Sequence, residues 1–99
     1  MSFKIALLPE FEAWLASIKD GITRQRLIRR LERVEEGTLG DVQPVGEGVS
    51  EMREHFGAGW RMYFVQRGAQ MIVMLGGGDK STQQRDIKKA IQLAKTLEG

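Results

Sequence analysis

The chain of 99 residues has no cysteine, a single histidine, hardly any net charge and no long apolar run. Without cysteine there is no disulfide framework and no thiolate metal site, and one histidine cannot make a His-rich metal cluster. No stretch approaches the roughly 20 apolar residues that span a bilayer. The opening Met-Ser-Phe-Lys-Ile lacks the basic, apolar and small-residue order of a signal peptide. These absences predict a cytoplasmic protein with no metal, no cofactor and no membrane partner. A formal net charge of +2 is also too small to mark a general nucleic-acid binder.

What is present fits one compact domain over residues 1–99: 41% of the residues are hydrophobic, enough for a single core at this length. The charge is segregated. Arg24, Arg26, Arg29, Arg30 and Arg33 crowd one stretch with only Glu32 against them, while Glu35, Glu36, Asp41, Glu47, Glu51 and Glu54 follow. Phe3 to Leu7 reads as a strand ending before Pro9. Phe11, Trp14, Leu15 and Ile18 then recur at helical spacing until Asp20-Gly21 interrupts them. Ile22, Leu27, Ile28, Leu31 and Val34 mark the apolar face of a second helix, with the arginines opposite and Gly37 as its stop.

Residues 37–48 read as a loop with Val42 and Val45 pinned to the core. In the next strand Met52, Glu54 and Phe56 share one face and Glu51, Arg53 and His55 the other, so Glu54 falls on the apolar side. After a turn at Gly57-Ala58-Gly59, Trp60, Met62 and Phe64 alternate with Arg61, Tyr63 and Val65. Arg67-Gly68 turns the chain into an interior strand, Gln70 to Leu75, ended by Gly76, Gly77 and Gly78. Ser81 is the expected cap of a last helix buried along Ile87, Ala90, Ile91, Ala94 and Leu97. The predicted class is α+β, in the order β-α-α-β-β-β-α.

Gly-Val-Ser-Glu-Met-Arg (48–53), Gly-Ala-Gly-Trp-Arg-Met-Tyr-Phe (57–64) and Leu-Gly-Gly-Gly-Asp-Lys-Ser-Thr-Gln-Gln-Arg-Asp-Ile-Lys-Lys-Ala (75–90) resemble the phage-derived Gp49-like, HigB-like addiction module killer proteins of the RelE/ParE toxin superfamily. The Trp14-Leu15 helix, the arginine-rich helix and Gly40-Asp41 are similar as well. The resemblance implies a small curved antiparallel sheet with the helical hairpin packed on one face. It also implies a type II toxin that cuts messenger RNA on the ribosome, held inactive by a helix-turn-helix, HigA-like antitoxin, with operator DNA bound only through that complex. Two other functions lie within the superfamily's reach: a ParE-like inhibitor of DNA gyrase, and an inactive phage remnant that serves only as an antitoxin-binding corepressor.

Metal-free RNA cleavage needs a base for the ribose 2′-hydroxyl, cations for the charge on phosphorus and an acid for the leaving oxygen. Arg53 and Arg61 are the candidates for gripping phosphate, because a guanidinium is always charged and can donate two parallel hydrogen bonds. His55, whose side-chain type titrates near neutrality, is the first choice for proton transfer, with Glu51 as a competing base and Tyr63 as a residue to orient, protonate or stack. Lys80, Arg29 and Arg30 are the candidate RNA contacts. The same residues also fit blander roles: Glu51 and Arg53 a cross-strand charge pair, the arginines a solvated helix face. Gly-Gly-Gly-Asp-Lys-Ser lacks the glycine directly before lysine that a phosphate-binding nucleotide loop requires, so nucleotide hydrolysis is not expected.

Overall fold

In the computed structural model, residues 2–97 are described. β1 (Lys4–Leu7) leads into α1 (Pro9–Ser17) and α2 (Gly21–Glu35); β2 (Val42–Gly46), β3 (Val49–Arg53), β4 (Arg61–Arg67) and β5 (Met71–Gly78) follow, and a 3-10 turn at Lys80–Thr82 opens α3 (Gln83–Thr96). The five strands form one sheet in the order β1-β5-β4-β3-β2. β2 to β5 run antiparallel to their neighbours, and β1 joins the far edge parallel to β5, with Lys4 opposite Met71.

Two features differ from the sequence reading. The stretch taken as a loop, 37–48, contains β2, which pairs with β3 from Val42 opposite Met52 to Gly46 opposite Val49. Pro44 and a register shift beside it mask its periodicity, as expected of an edge strand, where a missing N–H costs no ladder bond. The parallel β1 makes the sheet mixed: β2 to β5 reverse direction at each step, and β5 ends up running in the direction of β1 beside it.

Local signals explain the helices. Pro9 opens α1 with Glu10 and Glu12 in its first turn, where acidic charge favours the positive end of the helix. Asp20 caps α2, accepting from the Ile22 N–H at 3.1 Å and the Thr23 hydroxyl at 2.8 Å. Gly37 stops α2 with φ at 109°, and the Thr38 N–H returns to the Arg33 carbonyl at 2.9 Å. The last helix begins differently from the expectation: Asp79, not Ser81, caps the 3-10 turn by accepting from the Ser81 N–H at 2.8 Å.

The sheet is covered on both faces. On one, Phe11 of α1 and Leu27, Leu31 and Val34 of α2 pack against Met52, Met62, Phe64, Ile72 and Met74; on the other, Ala90 and Ala94 of α3 cover Val49, Tyr63, Val65 and Leu75. Burying side chains of this size gives about 1.5–3 kcal/mol each. Val42 packs against the first core and Val45 against the second, as expected of a pinned segment. Ile22, expected on the buried stripe, is instead 75% exposed in the first turn of α2. Gly76, Gly77 and Gly78 continue β5 where an end was expected, because helices press on the strand there: a Cβ at Gly77 would lie 2.5 Å from the Trp14 ring, and one at Gly78 2.0 Å from Asp86 Oδ2.

Candidate functional site

The site is organised from below by Arg30. Its position on α2 falls between Leu27, Leu31 and Val34 on the inward face, so the guanidinium is buried. It pairs there with Glu54 and donates to the carbonyls of Leu39, Asp41 and Arg53 at 2.8–3.2 Å. Gly40 turns over it with φ at 73°, close enough that a Cβ would sit 3.1 Å from Nη2. This explains Glu54 on the apolar strand face: its partner is a buried arginine from the facing helix. It also corrects the expectation for Arg30, whose donors are committed to the protein interior and out of reach of RNA.

Arg30 thereby fixes Asp41 at the mouth of β2, where the Asp41 carbonyl also accepts from the Arg53 N–H at 3.0 Å. The two Asp41 oxygens divide their work. Oδ1 accepts from Arg53 Nε at 3.2 Å and Nη2 at 3.0 Å, and Oδ2 lies 2.6 Å from His55 Nε2. The hydrogen bond from His55, and after it those from Arg53, hold the Asp41 carboxyl below its ordinary pKa, so it is ionised at neutral pH. An ionised carboxylate only accepts, so the proton between the two lies on His55 Nε2. That leaves Nδ1 as the outward nitrogen of a ring that is 66% exposed. Arg53 Nη1 likewise makes no hydrogen bond among the described residues.

His55 stands in the loop 54–60, which the Glu54 N–H closes on the Trp60 carbonyl at 2.9 Å. Glu54, His55 and Phe56 form one wall of an open groove of about 480 Å³; Arg26, Arg29 and Arg33 of α2 form the other. The Arg26 guanidinium lies over the Phe56 ring, 4.4 Å from its centre. Lys80 reaches the same loop from its far end: its stem packs on Gly59, where a Cβ would meet Lys80 Cδ at 2.7 Å. Among the described residues no three His, Asp or Glu side chains converge as a metal-ligand set.

The remaining sequence candidates are brought together elsewhere. Glu51, Arg61 and Tyr63 point to the sheet face that α3 covers, with Glu51 only 3% and Arg61 4% exposed. Gln83 of α3 donates to both Glu51 oxygens at 3.1–3.2 Å. Arg61 donates through Nη1 to the Trp60 carbonyl at 3.0 Å and the Glu54 carbonyl at 3.3 Å, so it supports the His55 loop from beneath. Its Nε faces Glu51 at 3.9 Å, an attraction between charges but no hydrogen bond. The Tyr63 hydroxyl is buried without a partner, and its pKa is pushed far above that of a free phenol by burial first and by the Glu51 and Asp86 charges next. The expectation that Arg61, Glu51 and Tyr63 act beside Arg53 and His55 is therefore corrected: α3 covers these three, and β3 ends at Arg53, so strand alternation does not extend to His55, which lines the groove together with Glu54 and Phe56. Asp41 was missed, and Arg26 and Arg33 were legible only as part of the arginine-rich face of the second helix, at i, i+3, i+7 spacing with Arg29. Asp41 meets Arg53 and His55 through a strand that the sequence hides.

The chain is similar in sequence to known proteins along most of its length. The family described as "Phage derived protein Gp49-like (DUF891)" matches residues 13–98. An uncharacterized protein of Haemophilus influenzae is 35% identical over 97 residues, covering 98% of each chain.

Proposed function

Because the chain belongs to the phage-derived Gp49-like family, a family of RelE/HigB-like toxins, we propose that it cleaves messenger RNA on translating ribosomes and is silenced by a cognate antitoxin. Pairing of a toxin with an antitoxin follows from the family. The cleavage chemistry rests on one observation: an exposed histidine whose Nε2 is engaged by an ionised Asp41, beside an arginine held by the same carboxylate.

The reaction that suits this group is transfer of the ribose 2′-oxygen to the adjacent phosphorus. His55 Nδ1 takes the 2′-hydroxyl proton as the O2′–P bond forms; Asp41 holds the ring and stabilises the imidazolium. Arg53 Nη1 donates to a non-bridging phosphate oxygen as charge builds on phosphorus. The P–O5′ bond then breaks, the departing oxygen takes a proton from solvent water, and the imidazolium gives its proton to the hydroxide so formed, which restores neutral His55. The products are a 2′,3′-cyclic phosphate and a new 5′-hydroxyl end. Arg61 and Arg30 act in this scheme by holding the loop and Asp41, not by touching RNA.

The test is to induce the chain without an antitoxin in bacteria and map new 5′-hydroxyl ends on translated and untranslated messages. Cuts in codon register on translated messages only are expected; His55→Ala should reduce them by about 10²–10⁴-fold, the ordinary contribution of a proton-transfer group, and Arg53→Ala by about 10²–10³-fold, that of one charge-stabilising donor. Growth arrest without cuts would replace this function with gyrase inhibition, and neither arrest nor cuts would leave only an antitoxin-binding corepressor.

A further inference from the structure

We infer that Arg26, Arg29 and Arg33 form a binding track for consecutive phosphates of single-stranded RNA, leading to His55. This rests on the RNA reading above but concerns how the strand is held, not how it is cut.

Three observations carry it. The arginines are at i, i+3 and i+7 on α2, and therefore in one line about 10 Å long along the helix, at 1.5 Å per residue. None of the three has an acidic partner among the described residues, whereas the acids beside the groove are already paired, Glu54 with Arg30 and Asp41 with Arg53. The same groove has His55 in its opposite wall, so a backbone laid along the arginines passes the imidazole. Arg26 is additionally fixed in place by its stacking on Phe56, which lowers the cost of ordering it against a ligand.

The line of charge selects the ligand. One row of cations faces one phosphodiester backbone, whereas a duplex presents two. Attack by a 2′-oxygen in line with the departing 5′-oxygen also requires a nucleotide free to leave helical stacking. An acidic protein segment is the competing occupant, and it would have no use for the histidine at the end of the track.

The experiment measures binding of the full chain to a short single-stranded RNA made uncleavable by 2′-O-methylation, by fluorescence anisotropy across a salt series. Arg29→Ala with Arg33→Ala removes two exposed cations; Lys88→Ala with Lys89→Ala removes two from α3 and serves as the equal-charge control. The arginine variant should weaken binding at low salt and reduce the slope of log K against log salt by about 1.4, at about 0.7 per lost phosphate contact with a single strand. The lysine variant should keep the wild-type slope. Equal losses in both variants, or no loss in the arginine variant, would overturn the track. So would a polyglutamate peptide of matching charge that binds as tightly as RNA with the same arginine dependence. His55→Ala must still bind; if it binds through the track while the wild-type chain makes no cuts in cells, the nuclease reading fails and the track stands.

Discussion

Asp41 holds two side chains with one carboxylate, and replacing it separates orientation from charge. Asp41→Asn offers a neutral oxygen to one partner only, so His55 should lose its fixed Nε2–H form and populate both neutral tautomers. Nitrogen NMR of the imidazole reads this directly, and RNA cutting should fall while the far-ultraviolet circular dichroism stays unchanged. Arg30 makes the opposite case. Arg30→Ala leaves the half-buried Glu54 charge unpaired and removes the side-chain donor from the Leu39, Asp41 and Arg53 carbonyls, which should cost about 3–5 kcal/mol in urea unfolding. Removing Glu54 as well should recover part of that loss, because the stranded charge is then gone. Both residues were visible in the sequence as misfits: Arg30 shares the i, i+3, i+4, i+7 stripe of Leu27, Leu31 and Val34, and Glu54 sits on the apolar strand face. Two opposite charges misplaced on facing apolar surfaces announce each other. Read separately, one became a surface contact and the other an irregularity.

At the scale of elements, the helical hairpin, the Gly57-Ala58-Gly59 turn, the β4–β5 hairpin and the stripe of α3 were legible because each is set by periodicity and turn chemistry within its own segment. Which sheet face α3 would cover was not, since an amphipathic helix carries no address. That choice decides the fate of Glu51, Arg61 and Tyr63. It depends on β5, whose glycines allow close approach from both sides. Gly77→Ala should push Trp14 off the strand and destabilise the fold by about 1–3 kcal/mol, the usual penalty of overpacking, with a matching drop in thermal midpoint. Combining it with Trp14→Leu should reduce the penalty, because the atoms that the new methyl meets are those of the indole ring.

Across the whole molecule, three carboxyls at caps and at the site contribute to the acid limb of stability. Asp20, Asp41 and Asp79 all have depressed pKa values: Asp20 through the Thr23 hydroxyl first, Asp41 through His55, Asp79 through Ser81. A carboxyl depressed in the folded state binds its proton more readily when unfolded. Its contribution is therefore complete above the ordinary value of 3.8 and is lost as pH falls below it through the folded pKa. Thermal midpoints measured from about pH 5 to pH 2 should fall along this limb, and Asp41→Asn should make the fall shallower.

The pairing of Lys4 with Met71 has a consequence for the order of synthesis. The first strand made finds its neighbour only when the fifth has been made, and the second core stays open until α3, at the end of the chain, can close over it. Contacts this distant in sequence form late. A chain that lacks β5 and α3 therefore leaves β1 without its partner and one face of the sheet uncovered.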